Sequence, residues 1–201
     1  MKKILFLLFA FSLAVCAYSQ TAKDFFDRGL SKLNHEDYMG AIADFNKSIE
    51  INHSYIDAYN NRGVAKEKLQ DHRGAIADLN MVIEINPKDV DAYGNRAIAK
   101  EGLNDYKGAL SDYNKVIAIS PKNQKAYYSR VKVKLLIKDY RGGIRDCNKL
   151  IEINPKDSYA YCERGIFKIL LKQIDSGCLD LSKAGEVGNS KAYDLIKQHC
   201  Q

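Results

Sequence analysis

Apolar and small side chains recur three and four residues apart along most of this chain, in short runs broken at regular places. One stretch shows the pattern well: Tyr59, Gly63, the stem of Lys66 and Leu69, then Ala75, Leu79, Val82 and Ile83. This spacing predicts two amphipathic helices joined by a turn. An aspartate stands ahead of the second helix in four such units, at Asp37, Asp71, Asp105 and Asp139. Its side chain is suited to cap the free backbone N–H groups of the coming helix. Pro87, Pro121 and Pro155 are the only prolines, and each sits just past a second helix, where a helix cannot continue. His53 takes that place in the first unit.

The helix pair repeats. An aromatic residue, two residues and then arginine occur at Phe25-Arg28, Tyr59-Arg62, Tyr93-Arg96, Tyr127-Arg130 and Tyr161-Arg164, 34 residues apart each time. A fixed period of this size means stacked repeats, with a core shared between neighbours. The repeats run over 22–55, 56–89, 90–123, 124–157 and 158–191. The fifth fades: Gly177 replaces an alanine, no proline follows, and its second helix is expected from about Ser176 to Glu186. A further helix is expected over about 190–200, with Ala192, Leu195 and Ile196 on one face. Such a face covers the last open end of a stack.

The first nineteen residues follow another pattern. Lys2 and Lys3 precede an apolar run from Ile4 to Val15, too short to span a bilayer and suited to the core of a secretory signal peptide. Ala17 and Ser19 place cleavage before Gln20, leaving residues 20–201 as the mature repeat domain. The competing expectation is a lipid anchor on Cys16, for which Val15 is a poor preceding residue. The chain is therefore expected to be exported, periplasmic or secreted, with membrane attachment only if Cys16 is acylated.

A second residue repeats with the arginine. Asp44, Asp78, Asp112, Asp146 and Asp180 each follow it by sixteen residues. A partly buried arginine is rarely left without a partner. Five structural ion pairs are therefore expected: Arg28 with Asp44, Arg62 with Asp78, Arg96 with Asp112, Arg130 with Asp146, and Arg164 with Asp180. A row of arginines gripping an anionic ligand is the competing reading, and the accompanying aspartates count against it.

Composition adds limits. The net charge of +6 falls to +4 once Lys2 and Lys3 are removed, with 29 basic residues against 25 acidic ones. These charges are scattered through every repeat, so no nucleic-acid partner is expected. Of five cysteines, Cys16 lies in the leader. Cys178 and Cys200 lie eleven residues either side of Asn189, so helices folding back about that turn bring them face to face. In an oxidising compartment that predicts a disulfide. Cys147 takes an apolar core position and Cys162 the groove side of the fifth repeat; neither is assigned a redox state. No Cys-x-x-Cys occurs and the four histidines stand at no ligand spacing, so no metal is expected.

These residues resemble tetratricopeptide repeats over roughly 22–191. The family's small first-helix position falls on Gly29, Gly63, Ala97 and Gly165, and its second-helix alanine on Ala41, Ala75 and Ala109. Val131 and Gly143 depart from those positions, and arginine replaces the family's leucine throughout. The resemblance implies an all-α, right-handed superhelical solenoid of antiparallel helix pairs. It also implies ligand binding along a concave groove lined by the first helices. Groove candidates are then Asp57, Asn60 and Asn61; Asp91, Asn95 and Ile98; and Lys125, Tyr128, Ser129 and Lys132, with Glu101 in the third repeat and Tyr159, Cys162, Glu163, Ile166 and Ile169 in the fifth also along its lining. The groove reads as polar and acidic in repeats two and three, basic and aromatic in four, and apolar in five. The family's clamp for chaperone C-terminal carboxylates is not assembled, since Ser129 stands at its arginine and Val64 or Ile98 at its first asparagine.

No Gly-rich phosphate loop, Ser/His/Asp grouping or Cys/His dyad can be assembled from this chain. The expectation is a non-catalytic scaffold with no cofactor and no small-molecule substrate, taking a peptide or protein segment in the groove. The alternative is an architectural subunit of an envelope assembly, bound through the convex face or an end of the array.

Overall fold

A computed structural model describes residues 20–200. The leader over 1–19 and its Cys16 lie outside the described residues. Eleven helices and no strand occur among those described: α1 Ala22–Asn34, α2 Tyr38–Ile51, α3 Ile56–Lys68, α4 His72–Ile85, α5 Val90–Gly102, α6 Tyr106–Ile119, α7 Gln124–Leu136, α8 Tyr140–Ile153, α9 Ser158–Leu170, α10 Ile174–Glu186 and α11 Lys191–His199. None is long and apolar enough to cross a membrane. The chain divides into two compact units, one through Asp71 and one from His72 onward.

The first unit holds α1 to α3. Thr21 opens α1 with a capping box, its side chain accepting from the Asp24 N–H while Asp24 accepts from the Thr21 N–H. The Ser48 hydroxyl, late in α2, donates to the Ala22 carbonyl at the start of α1 at 2.7 Å, so the two helices run antiparallel. Gly29 lets them approach: a Cβ there would stand 2.8 Å from the buried Phe45 ring. Phe26 packs on both Phe45 and Tyr55, closing the core.

The second unit, α4 to α11, repeats this pairing in α5 with α6, α7 with α8 and α9 with α10. Asp89, Asn123 and Asp157 cap α5, α7 and α9, and Asp105 and Asp139 cap α6 and α8, through the backbone N–H three residues on. The turns inside the pairs pass through a left-handed residue, Asn104 at φ 59°, Lys138 at 61° and Lys172 at 64°. Each core borrows from the following repeat. Tyr93, Ala97, Ala109, Tyr113 and Val116 are joined by Ala126 and Val133. Likewise Tyr127, Val131, Cys147 and Leu150 are joined by Ala160 and Phe167.

Gly143 now has a physical reason. A Cβ on Gly143 would lie 2.3 Å from the Phe167 ring, so the missing methyl makes room for a large side chain from the next repeat. Volume has moved between neighbouring positions while the helices keep their places.

Helix α10 starts at Ile174, two residues ahead of the expected start, and its N-cap Gln173 makes no side-chain capping bond. Helix α11 lays Leu195 and Ile196 over a cluster of Cys162, Leu181, Ala184 and Ala192. Cys162, expected on the groove side of the fifth repeat, is a free thiol buried in that cluster. Cys178 and Cys200 bring their sulfurs to bonding distance, with Cα atoms 5.8 Å apart.

Candidate functional site

Two sets of charged side chains dominate the helix faces. The first is a ladder. Arg28 Nε and Nη2 donate to the two carboxylate oxygens of Asp44 at 2.9 and 2.5 Å. The same fork joins Arg96 to Asp112, Arg130 to Asp146 and Arg164 to Asp180. Arg62 belongs to the first unit and Asp78 to the second. Bidentate, charge-assisted pairing of this kind is both strong and directional. The arginine fork holds the Asp44 carboxyl below the usual carboxylate range, and Asp180 raises Arg164.

Three further contacts build out the rungs. A lysine one turn after the arginine reaches the same carboxylate: Lys32 to Asp44 at 2.8 Å, and Lys100, Lys134 and Lys168 to their aspartates at 2.7 Å. From the second repeat on, the arginine's remaining Nη1 donates to an asparagine of the preceding repeat, Asn46, Asn80, Asn114 or Asn148, at 2.7 Å in each case. The guanidinium also covers the ring three residues before it, at 4.8 to 5.4 Å from the centroid. Lysine and asparagine recur every 34 residues as the aspartate does, so the signal stands in the sequence. It is hidden there because the lysine's aliphatic stem reads as one of the apolar helix positions.

The second set lies on the first-helix face of the second unit. Asp91, Asn95 and Ile98 of α5 meet Lys125 and Ser129 of α7 around a cavity of about 270 Å³, with Tyr113 of α6 also in its wall. The Tyr113 hydroxyl donates to Glu101 Oε1 and is also hydrogen-bonded to Ser129. Burial, reinforced by Glu101, raises this phenol well above its ordinary value.

A shallower hollow of about 280 Å³ is lined by Tyr128 and Lys132 of α7 and Tyr159 of α9. The two rings meet edge to face with centroids 5.3 Å apart. The Tyr128 hydroxyl donates to Asp157 Oδ2 at 2.6 Å, while the other oxygen of Asp157 caps α9. Burial and this carboxylate push Tyr128 up to about 12. Glu163 lies one helical turn beyond Tyr159, and Glu101 stands across on α5. Burial raises both carboxyls, and the Lys132 charge works against that rise at each.

The sequence candidates therefore separate. Asp91, Asn95, Ile98, Lys125 and Ser129 line one cavity, and Tyr128 and Lys132 line the other. Asp57, Asn60 and Asn61 lie on α3 in the first unit, where the Asn61 amide donates to the Asp57 carbonyl at 2.8 Å. The fourth repeat reads as basic in the sequence, yet Lys132 is bracketed by acidic side chains from the repeats on either side. Among the described residues, no group of three or more His, Cys, Asp and Glu side chains is placed to hold a metal ion.

Comparison with known proteins now places the chain. Residues 56–89 and 90–123 each match a family model described as tetratricopeptide repeat. No curated protein matches. Among solved structures, MamA is 21% identical with a TM-score of 0.78, covering 86% of this chain and 94% of its own. YrrB, described as a TPR protein with an unusual peptide-binding site, is 14% identical with a TM-score of 0.77, covering 94% of this chain and 98% of its own. The first TPR of Spaghetti (RPAP3), bound to the HSP90 peptide SRMEEVD, is 24% identical with a TM-score of 0.58, covering 60% of this chain and 95% of its own. These likenesses show the fold, a solenoid of helix pairs.

Proposed function

We propose, from the premise that this chain is a tetratricopeptide-repeat protein, that it is a non-catalytic scaffold holding an extended peptide or protein segment along the first-helix face of repeats three to five. One observation carries the reading. The residues that recur in every repeat are consumed by core and ladder, whereas the polar side chains of the 270 Å³ cavity, Asp91, Asn95, Lys125 and Ser129, stand at registers that change along the array. Asp91 and Lys125 share one such register with Lys23, Asp57 and Tyr159; Asn95 and Ser129 share another with Asp27, Asn61 and Glu163. Selectivity for a ligand requires positions that the fold leaves free to vary. The peptide bound to RPAP3 and the peptide-binding site ascribed to YrrB support a ligand of this class.

Export belongs to the same proposal: a leader removed before Gln20, a periplasmic or secreted destination, or a lipid anchor at Cys16. In that setting Cys178 and Cys200 form a disulfide that ties α11 to α10. The test is capture of partners from a cell-envelope extract by wild-type protein and by Asn95→Ala and Lys125→Ala variants of unchanged helicity. The variants are expected to lose a partner that the wild type retains. Equal capture by all three would move binding away from this face. In the exported protein, thiol titration under denaturing, non-reducing conditions is expected to find Cys147 and Cys162 alone. Reactive Cys178 and Cys200 would remove the disulfide.

A further inference from the structure

The hollow is lined by Tyr128, Lys132 and Tyr159, and the Lys132 charge acts on two carboxylates next to that lining, Glu101 and Glu163. Glu101 on α5, Lys132 on α7 and Glu163 on α9 stand on successive first helices, so the order across the face is acid, base, acid. One ammonium facing two carboxylates leaves a negative charge over. Glu101 has the Tyr113 hydroxyl for company. Glu163 makes no ion pair or side-chain hydrogen bond among the described residues, although it is partly buried.

A partly buried carboxylate that no bond satisfies weakens the fold, and natural chains retain such groups where binding needs them. The walls beside it are two tyrosine rings, whose faces accept cations. Lys132 is exposed, and its flexible stem lets the ammonium leave for water when another cation arrives.

We infer that this hollow is a subsite for a basic side chain of the bound peptide, arginine above lysine, with its cation between Glu101 and Glu163 in place of Lys132 and its stem against Tyr128 and Tyr159. Arginine leads because a planar guanidinium stacks on an aromatic face while its edge bonds a carboxylate. Burial raises the carboxyls of Glu101 and Glu163, and the Lys132 charge works against that rise at each.

This inference rests on the groove reading, and its test separates the two. A random heptapeptide library is selected on the purified protein, and the enriched peptides are measured against Glu163→Gln, Lys132→Met, Asn95→Ala and Lys125→Ala. The expected result is enrichment of a single arginine or lysine. Glu163→Gln is expected to weaken those peptides about tenfold, the loss of one charge-assisted hydrogen bond. Lys132→Met is expected to tighten them several-fold by removing the resident cation. Binding should also weaken as salt rises. Peptides that need Asn95 and Lys125 but show no basic preference, or ignore Glu163→Gln, overturn the subsite and leave the groove standing. Weaker binding to Lys132→Met likewise overturns the displaced cation. Peptides indifferent to all four variants, or no enrichment at all, overturn both readings.

Discussion

The ladder and the hollow use the same chemistry to opposite effect. In the fourth-repeat rung, Asp146 receives two bonds from Arg130 and one from Lys134, all between 2.5 and 2.8 Å, and Arg130 Nη1 donates to Asn114. Every partner comes from a position that repeats. The charges of the hollow lack such matched partners. Lys132 and Glu163 each occur once at their register, and Glu101 shares its own only with Glu67. Charge that is fully answered can be copied with every repeat. Charge left unanswered is a feature of one place, and it costs stability there.

The largest expected effect breaks the ladder. Asp146→Ala leaves Arg130 and Lys134 facing each other with side chains only 15% and 12% exposed. Removing one partner of a buried ion pair costs about 3–5 kcal/mol, and here two cations are stranded. Urea denaturation is expected to show a loss of that order. The equivalent Asp44→Ala should lose clearly less, because Arg28 is 46% exposed and water answers its charge. Equal losses at the two rungs would mean that burial does not set the ladder's strength.

A smaller effect asks whether volume, like charge, is shared between repeats. Gly143→Ala drives a methyl into the Phe167 ring, and overpacking of a dense core costs about 1–3 kcal/mol. Phe167→Val alone opens a void. Combined with Gly143→Ala it restores fit, so the double variant is expected to lose less in thermal unfolding than the two singles together. Strict additivity would show that the two sites do not press on each other.

These contrasts also explain how much of the molecule is legible in its sequence. Helix pairs, capping aspartates and the Arg–Asp partners recur at one spacing, so each copy supports the reading of the others. That support fades at the start of α10, where Gln173 stands in place of the capping aspartate of earlier repeats, and the helix begins earlier than its pattern predicts. The lysine of each rung escapes notice because a long stem at an apolar position hides the charge at its tip. Whether Cys162 is open or covered depends on the packing of α11, which no spacing around Cys162 encodes. The acid, base, acid order is a juxtaposition across three repeats, 31 residues apart at each step, and no local pattern announces it.

The smallest expected effect concerns the hollow, and its sign is opposite to that of the ladder. Burial raises the Glu163 carboxyl in the folded chain above its unfolded value. A raised carboxyl binds its proton more tightly when folded, so the wild type loses stability as pH climbs through the window between the unfolded and folded values. Above the folded value the full penalty applies, and below the unfolded value it vanishes. Glutamine keeps the shape and carries no charge. Glu163→Gln is therefore expected to raise stability by about 1 kcal/mol at neutral pH, the scale of a partly buried polar group relieved of its charge. The gain should shrink toward zero as the pH is lowered past the ordinary glutamate range. Thermal melts of both proteins across that range test the point. A Glu163→Gln variant less stable at neutral pH would show that the carboxylate is already answered, and the contrast with the ladder would fail at its second term.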